Sequence, residues 1–345
     1  MPGQTLQIAV EAAIPHEKRQ LLGDQDFTTV RYEIEVGTST DEPDPKLIHE
    51  RVILKRSDVQ VPVAQLVFPF PMPSASSIMT IKSNKSKFII NKGEKGNDNF
   101  YPETGTGYTP TFRLGPRKSA LGNLPEDESN YPVSTWLKQL LINGVEQLVL
   151  NSGLIRLASP PHHIRGFRPD GSNLPWVISD MQKRAADQYA SWLAHIQTAL
   201  PDIQEILVRE RADDRHSYIV IRYAGGYEVP SWMASDGTLR MLALTLLPYL
   251  QEFRGIYLIE EPENGIHPRA VETVFQSLSS AYNAQILVAT HSPVILNSVD
   301  ASDVLCFAKS DEGATAIIRG DLHPALRNWK QEVSLGELFA GGVLG

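Results

Sequence analysis

Two adjacent carboxylates, Glu260 and Glu261, follow directly on the apolar run Ile256-Tyr257-Leu258-Ile259. A short run of β-branched and aromatic residues is predicted to form a buried parallel strand. Acids at the carboxyl end of such a strand sit where open α/β sheets bind their ligands. One acid can hold Mg²⁺, directly or through water. The next can orient or deprotonate a water that attacks a phosphate. A second apolar run, Ile286-Leu287-Val288-Ala289, ends in Thr290-His291-Ser292-Pro293. It is predicted to carry a polar triplet to the tip of a second strand, beside the first. A Glu-Glu pair at a strand end is ordinarily a solvated charge pair. The two motifs in this order, with Pro-Glu-Asn-Gly-Ile-His-Pro between them, favour the chemical reading.

The elements upstream must position these groups. Ser235 or Asp236 is a good N-cap, and Gly237 permits close approach of another backbone. Thr238 to Leu247 is predicted to form an apolar helix that ends near Pro248. The free N–H groups of a helix N-terminus are suited to anions. An ordinary capped core helix has the same pattern. Its place just before the acid-bearing strand favours a role at the site.

Taken together, these motifs resemble the Walker B, D-loop and switch region of AAA-type ATPases related to the RecF, SMC and overcoming-lysogenization-defect families. Strand-acid-acid, helix, strand-Thr-His is the order found in ATPases of the ABC type. The resemblance implies that Glu260 is the Walker B acid on Mg²⁺ and Glu261 the catalytic glutamate. It makes Pro262 to Pro268 the D-loop region, and His291 the switch histidine that senses the γ-phosphate of ATP. Ser235-Asp236-Gly237-Thr238-Leu239-Arg240 is similar to the signature motif, so Ser235, Gly237 and Arg240 would face nucleotide bound to an opposing subunit. Glu260 departs from the Asp of many members by one methylene, with the charge kept. The implied fold is α/β: the C-terminal part of an ABC-type P-loop ATPase head, a mixed β-sheet flanked by helices.

No G-x-x-x-x-G-K-[ST] phosphate loop occurs in the 345 residues. The nearest imitation, Gly115-Pro116-Arg117-Lys118-Ser119, lacks two glycines. Its proline also removes an N–H from any phosphate cradle. In the family that loop lies near the N-terminus, so this chain is expected to begin after it. A split gene, a truncated gene and degeneration are the three origins considered. Leu335 to Leu344 is similar to the family's C-terminal tail. The expectation is that these 345 residues alone hydrolyse ATP poorly or not at all. A homodimer, or a partner chain that supplies the phosphate loop, would complete the site. The alternative is a non-enzymatic scaffold or regulatory module derived from such a head.

Composition bounds the class. The hydrophobic fraction is 42% and the formal net charge is −8. That charge argues against broad electrostatic coating of DNA, while a local basic patch is left open. The single cysteine, Cys306, cannot form an internal disulfide, which is compatible with a reducing, cytoplasmic setting. No signal peptide or membrane-spanning run is recognised. His162-His163 has no carboxylate or cysteine at ligand spacing and is read as a surface turn.

Four stretches are expected. Residues 1–70 are read as strands of a mixed sheet, the remnant of a β-rich lobe, with Tyr32 to Val36 alternating and Thr38 to Lys46 a polar turn. Residues 71–130 are read as an irregular insertion, rich in Pro, Gly, Ser, Asn and Lys. Its run Lys82, Lys85, Lys87, Lys92 and Lys95 could touch nucleic acid, though a solvated loop is favoured. Residues 131–200 are read as a helical lobe, with helices over Val133 to Asn143 and Ile178 to Leu200. Its segment Gly171-Ser172-Asn173-Leu174 is similar to the family's GxNL element. Residues 201–345 are read as the ATPase core. By resemblance the setting would be DNA maintenance or anti-phage defence.

Overall fold

The computed structural model describes residues 5–23, 25–38, 44–56, 67–69, 77–93, 97–105, 109–161, 166–311, 313–326 and 333–344. His162-His163, Lys95 and most of the Thr38 to Lys46 turn lie outside them. The chain divides into two compact units: residues 1–63 with 72–143, and residues 64–71 with 144–345.

The first unit is a six-stranded meander. Its strands β1 (Thr5–Ala13), β2 (Thr29–Gly37), β3 (Lys46–Lys55), β4 (Ser86–Gly93), β5 (Asp98–Phe100) and β6 (Thr111–Phe112) lie side by side in chain order. Every pairing is antiparallel, so this sheet is not mixed. Helix α1 (His16–Gln20) follows β1, and α2 (Pro132–Asn143) closes the unit. Val30, Val52, Leu54, Ile90 and Phe100 form its core with Val133 and Leu137 of α2. The stretch 71–130, expected to be irregular, supplies β4, β5 and β6. Phe88-Ile89-Ile90 is its one apolar run, and pairing with β3 extends it into the flanking polar residues.

Much of the lysine run is used internally. Lys92 is buried and its Nζ donates to Asp98 at 2.8 Å and to the Gly115 carbonyl at 2.9 Å. Lys87 Nζ donates to the Glu103 carbonyl at 2.8 Å. The Gly115–Ser119 turn is likewise engaged. The Pro116 carbonyl accepts from Leu47 N at 2.8 Å, and Ser119 Oγ donates to Glu50 at 2.6 Å.

The second unit holds β7 (Val145–Leu148), α3 (Ser152–Ile155), α4 (Leu174–Arg184), α5 (Ala186–Ala199), β8 (Ile203–Glu210), β9 (Ser217–Tyr223), β10 (Glu228–Pro230) and α6 (Asp236–Leu246). It continues with β11 (Gly255–Glu260), α7 (Pro268–Ser279), β12 (Ala284–Ala289), α8 (Pro293–Leu296), β13 (Leu305–Lys309), β14 (Thr315–Arg319) and α9 (Leu335–Ala340). Three sheets result: antiparallel β10-β9-β8, parallel β12-β11-β7 and the hairpin β13-β14. The expected Ile178 to Leu200 helix is two helices, α4 and α5, broken at Ala185 with φ −142° and ψ 55°. The strand β7 arises within the stretch read as helical.

Helix α6 is the centre of this core, with Leu239, Leu242, Leu244 and Leu246 each at most 1% exposed. Thr245 on α6 ties neighbouring helices together. Its Oγ1 accepts from Trp192 Nε1 at 3.0 Å, and its carbonyl accepts from Ser277 Oγ at 2.9 Å. Before α4, buried Asn173 pins its own loop, accepting from Arg168 N and donating to the Gly166 carbonyl, each at 2.9 Å. At the far end, Ser334 and Glu337 form a capping box on α9. The Gly336 N–H donates to Asn297 Oδ1 at 2.9 Å, and a Cβ at Gly336 would stand 2.4 Å from the Pro293 carbonyl. Only glycine lets α9 approach α8 this closely.

Candidate functional site

Strands β11 and β12 run parallel with Glu260 opposite Ala289. The carboxyl edge of β11 therefore carries the acidic pair, and the edge of β12 leads directly into Thr290-His291. Glu261 N–H donates to the Ala289 carbonyl at 2.7 Å, which prolongs the ladder by one bond. Glu261 then turns with φ +44°, a left-handed conformation that non-glycine residues rarely adopt. That turn re-aims the second acid out of strand alternation.

The acids are weakly engaged. Glu260 is exposed, and its Oε1 accepts from Gln147 Nε2 at 3.4 Å. Gln147 lies on β7, in register with Leu258. The Glu261 side chain is 44% exposed and accepts from Asn264 Nδ2. Its other oxygen stands 4.0 Å from His291 Nε2, whose side chain is 80% exposed. The His291 ring also lies 6.3 Å from that of Phe339 on α9.

Glu263 is a structural organiser that the sequence reading missed. Its Oε1 accepts from Thr290 Oγ1 at 2.6 Å and from His291 N at 3.2 Å. Thr290 Oγ1 in turn accepts from Ser292 N at 2.9 Å. Glu263 Oε2 is buried without a partner among the described residues. One carboxylate thus clamps the turn after β11 to the segment after β12, and holds His291 beside Glu261. An acid three residues beyond a strand has no periodic signal. The pairing with Thr290 depends on two strands being neighbours.

The start of α6 meets the same turn from the other side. Ser235 caps α6, its Oγ accepting from Thr238 N at 3.1 Å. Asp236 is held by Arg156, whose Nη2 donates at 2.6 Å. A Cβ on Gly237 would lie 2.4 Å from the Gly265 carbonyl, so the first turn of α6 abuts the turn after β11 backbone to backbone. Arg240 Nη1 donates to the Leu150 carbonyl at 3.4 Å, while its Nε is buried without a partner among the described residues. The structure therefore brings Gly237 and Arg240 against Gly265, with Ser235 capping the same helix, and places Glu260, Glu261 and His291 at the sheet edge.

Among the described residues no group of three His, Cys, Asp or Glu side chains could hold a metal by itself. Mg²⁺ does not require one. It is commonly held by one or two carboxylates with phosphate oxygens and waters. Exposed, scarcely bonded Glu260 fits that donor set.

Among the described residues no helix is long and apolar enough to cross a membrane. An SMC head domain from Thermotoga maritima is similar at 12% identity over 84% of this chain and 74% of that chain, with a TM-score of 0.34. An Smc head bound to the C-winged helix domain of ScpA is similar at 14% identity over 81% and 76%, with a TM-score of 0.36. An Smc head with coiled coil and joint from Pyrococcus yayanosii is similar at 17% identity over 46% and 33%, with a TM-score of 0.32. The sequence itself goes further: residues 81–297, well over half of the chain, match the family model described as "AAA domain, putative AbiEii toxin, Type IV TA system". By this match the chain belongs to the AAA-domain family, and Glu260, Glu261 and His291 lie at one sheet edge within the matched stretch.

Proposed function

We propose that this chain is an ATPase head that works by ATP-dependent association of two heads. The observation that supports it most is the gathering of Glu260, Glu261 and His291 at one sheet edge, next to the Gly237–Gly265 contact. Glu260 would hold Mg²⁺ together with phosphate oxygens, and the ion supplies charge neutralisation at the phosphates. Glu261, turned out of the strand, orients and polarises the attacking water. His291, held by Glu263 through its backbone, faces the γ-phosphate. Ser235 and Gly237 present the N-terminus of α6 to nucleotide carried by a second head. The phosphate loop would come from outside these 345 residues, on the same polypeptide or on a partner. Such a site acts through positioning and charge rather than covalent chemistry. The family description favours a toxin–antitoxin setting, and the resemblance drawn from the motifs suggests anti-phage defence. A DNA partner has less support, because Lys87 and Lys92 are engaged internally.

The test supplies a phosphate-loop segment by fusion or in trans. ATP turnover should then appear. Glu261→Gln should slow it strongly while ATP binding persists, since the group acts mainly in the transition state. ATP-bound dimers should accumulate in Glu261→Gln and be lost in Ser235→Arg. If both variants match wild type on turnover and on sizing with ATP, the mechanism is wrong. A second reading is a scaffold that kept the dimerisation surface without phosphate binding. It rests on the internally bonded Gly115–Ser119 turn, the nearest imitation of a phosphate loop in the sequence. ATP-independent dimers sensitive to Ser235→Arg would favour it.

A further inference from the structure

A separate cavity of about 780 Å³ opens at the other end of the same sheet. It lies between α4, the start of α5, and the loop that leads from α6 into β11. That volume is typical of small-ligand pockets. Tyr257 and Glu146 are register partners on β11 and β7, so their side chains share one face of the sheet and both reach the cavity. Tyr257 is three residues before Glu260, roughly 10 Å along the strand, and none of the proposed ATPase residues lines the cavity.

The walls combine aromatic faces with unpaired negative charge. Phe253 stacks on Tyr257 with ring centroids 4.0 Å apart and planes 20° apart. Trp176 forms part of the α4 wall, its ring fixed by an Nε1 hydrogen bond to the Pro160 carbonyl at 2.8 Å. Among the described residues the one cationic side chain in the lining is Arg184, already paired with Asp180 at 2.9 Å. Glu146 and Glu252 also line the cavity, and neither has an ion-pair or hydrogen-bond partner among the described residues. Burial pushes the Glu146 carboxyl up. Burial, and then the charge of Glu146, push the Tyr257 hydroxyl up as well. Among the described residues this half-buried carboxylate beside stacked rings has no cation, and aromatic ring faces attract one.

We propose that this cavity binds an organic cation: an ammonium or guanidinium group on an aliphatic stem, with the charge on Glu146 and Glu252 and the stem against Trp176, Phe253 and Tyr257. A free polyamine-like amine and a basic side chain of a protein segment share this chemistry. The site is independent of the ATPase reading, so Glu261→Gln should leave its binding unchanged.

The test uses the full chain, titrated with agmatine and followed by calorimetry and tryptophan fluorescence. Saturable binding with a Kd below about 1 mM is expected, with a change in Trp176 emission that is absent in Trp176→Phe. Glu146→Gln should weaken binding about tenfold, and Glu252→Gln severalfold. The neutral isostere N-(4-hydroxybutyl)urea should not bind. A peptide with one internal arginine decides the source. Binding at least about tenfold tighter than agmatine indicates a protein segment, and equal or weaker binding a free small cation. No saturable response to agmatine or to the peptide, or equal binding of N-(4-hydroxybutyl)urea, would overturn the proposal without touching the ATPase assignment. So would unchanged affinity in both glutamine variants.

Discussion

Glu33, Glu50 and Glu103 in the first unit are fully buried, whereas Glu260 and Glu261 in the second stand at an open sheet edge. The buried acids are saturated with donors. Glu50 accepts from Ala120 N and Ser119 Oγ at 2.6 Å each, and from Leu121 N and Tyr32 Oη at 3.0 Å each. Burial, then the charge of Glu50, push the Tyr32 hydroxyl up, which keeps it a donor. Glu103 accepts from Val133 N, Ser134 N and Ser134 Oγ at the start of α2. Glu260 has one long hydrogen bond, and Glu261 has one partner plus a distant histidine. The same side chain thus stabilises structure where every lone pair is occupied, and is available for chemistry where it is not.

The largest effect should come from breaking a saturated acid. Glu50→Ala leaves two backbone N–H groups and two hydroxyls without their acceptor, which should cost about 3–5 kcal/mol. Glu260→Gln, by contrast, should fall within about 0.5 kcal/mol of wild type. Paired chemical-denaturation curves measure both, and comparable losses would erase the distinction between the two kinds of acid.

Gly237→Ala tests whether the second unit's site also depends on packing. Its Cβ would meet the Gly265 carbonyl at 2.4 Å, so one backbone must move. A loss of about 2 kcal/mol is expected, with disturbed amide signals for Gly265 and Ile266. Wild-type stability and spectra would mean that the turn is free to shift.

Glu261→Asn should go the other way. Asparagine tolerates the left-handed backbone better than glutamate, so a gain of about 1 kcal/mol is expected at the cost of the proposed catalysis. A destabilised variant would show that the φ of +44° is not strained in its context.

The smallest effect concerns an exposed acid with a purely local task. Hydrogen bonds from the Ser334 backbone and hydroxyl hold the Glu337 carboxyl below its usual value. A depressed folded value means that the cap contributes fully above the ordinary glutamate range. Its contribution is lost as pH falls through the folded value. Amide protection factors in α9, taken relative to the intrinsic exchange rate at each pH, should therefore fall on acidification in wild type but stay flat in Glu337→Gln. The same acid response in both would remove Glu337 as its source.

The sequence by itself determined the local chemistry. Apolar runs that end in Glu260-Glu261 and Thr290-His291 specify strands and the edge at which they stop, although only β11 buries side chains, Tyr257 and Ile259, and β12 keeps one face exposed. Ser235 and Gly237 likewise specify a capped helix with room for close approach. Tertiary structure decided what short or polar segments could not announce. Val145-Glu146-Gln147-Leu148 has too little periodicity to be read as a strand, yet β7 forms because β11 offers it a ladder. In doing so it delivers Gln147 to Glu260 and Glu146 to the cavity. Lys87 and Lys92 read as a solvated run until β4 turned them toward Glu103 and Asp98. Glu263 clamps Thr290 only because a crossover helix brings two distant strand ends side by side. Periodicity and capping act within a few residues, whereas these contacts join groups far apart in the chain, and only packing brings them together.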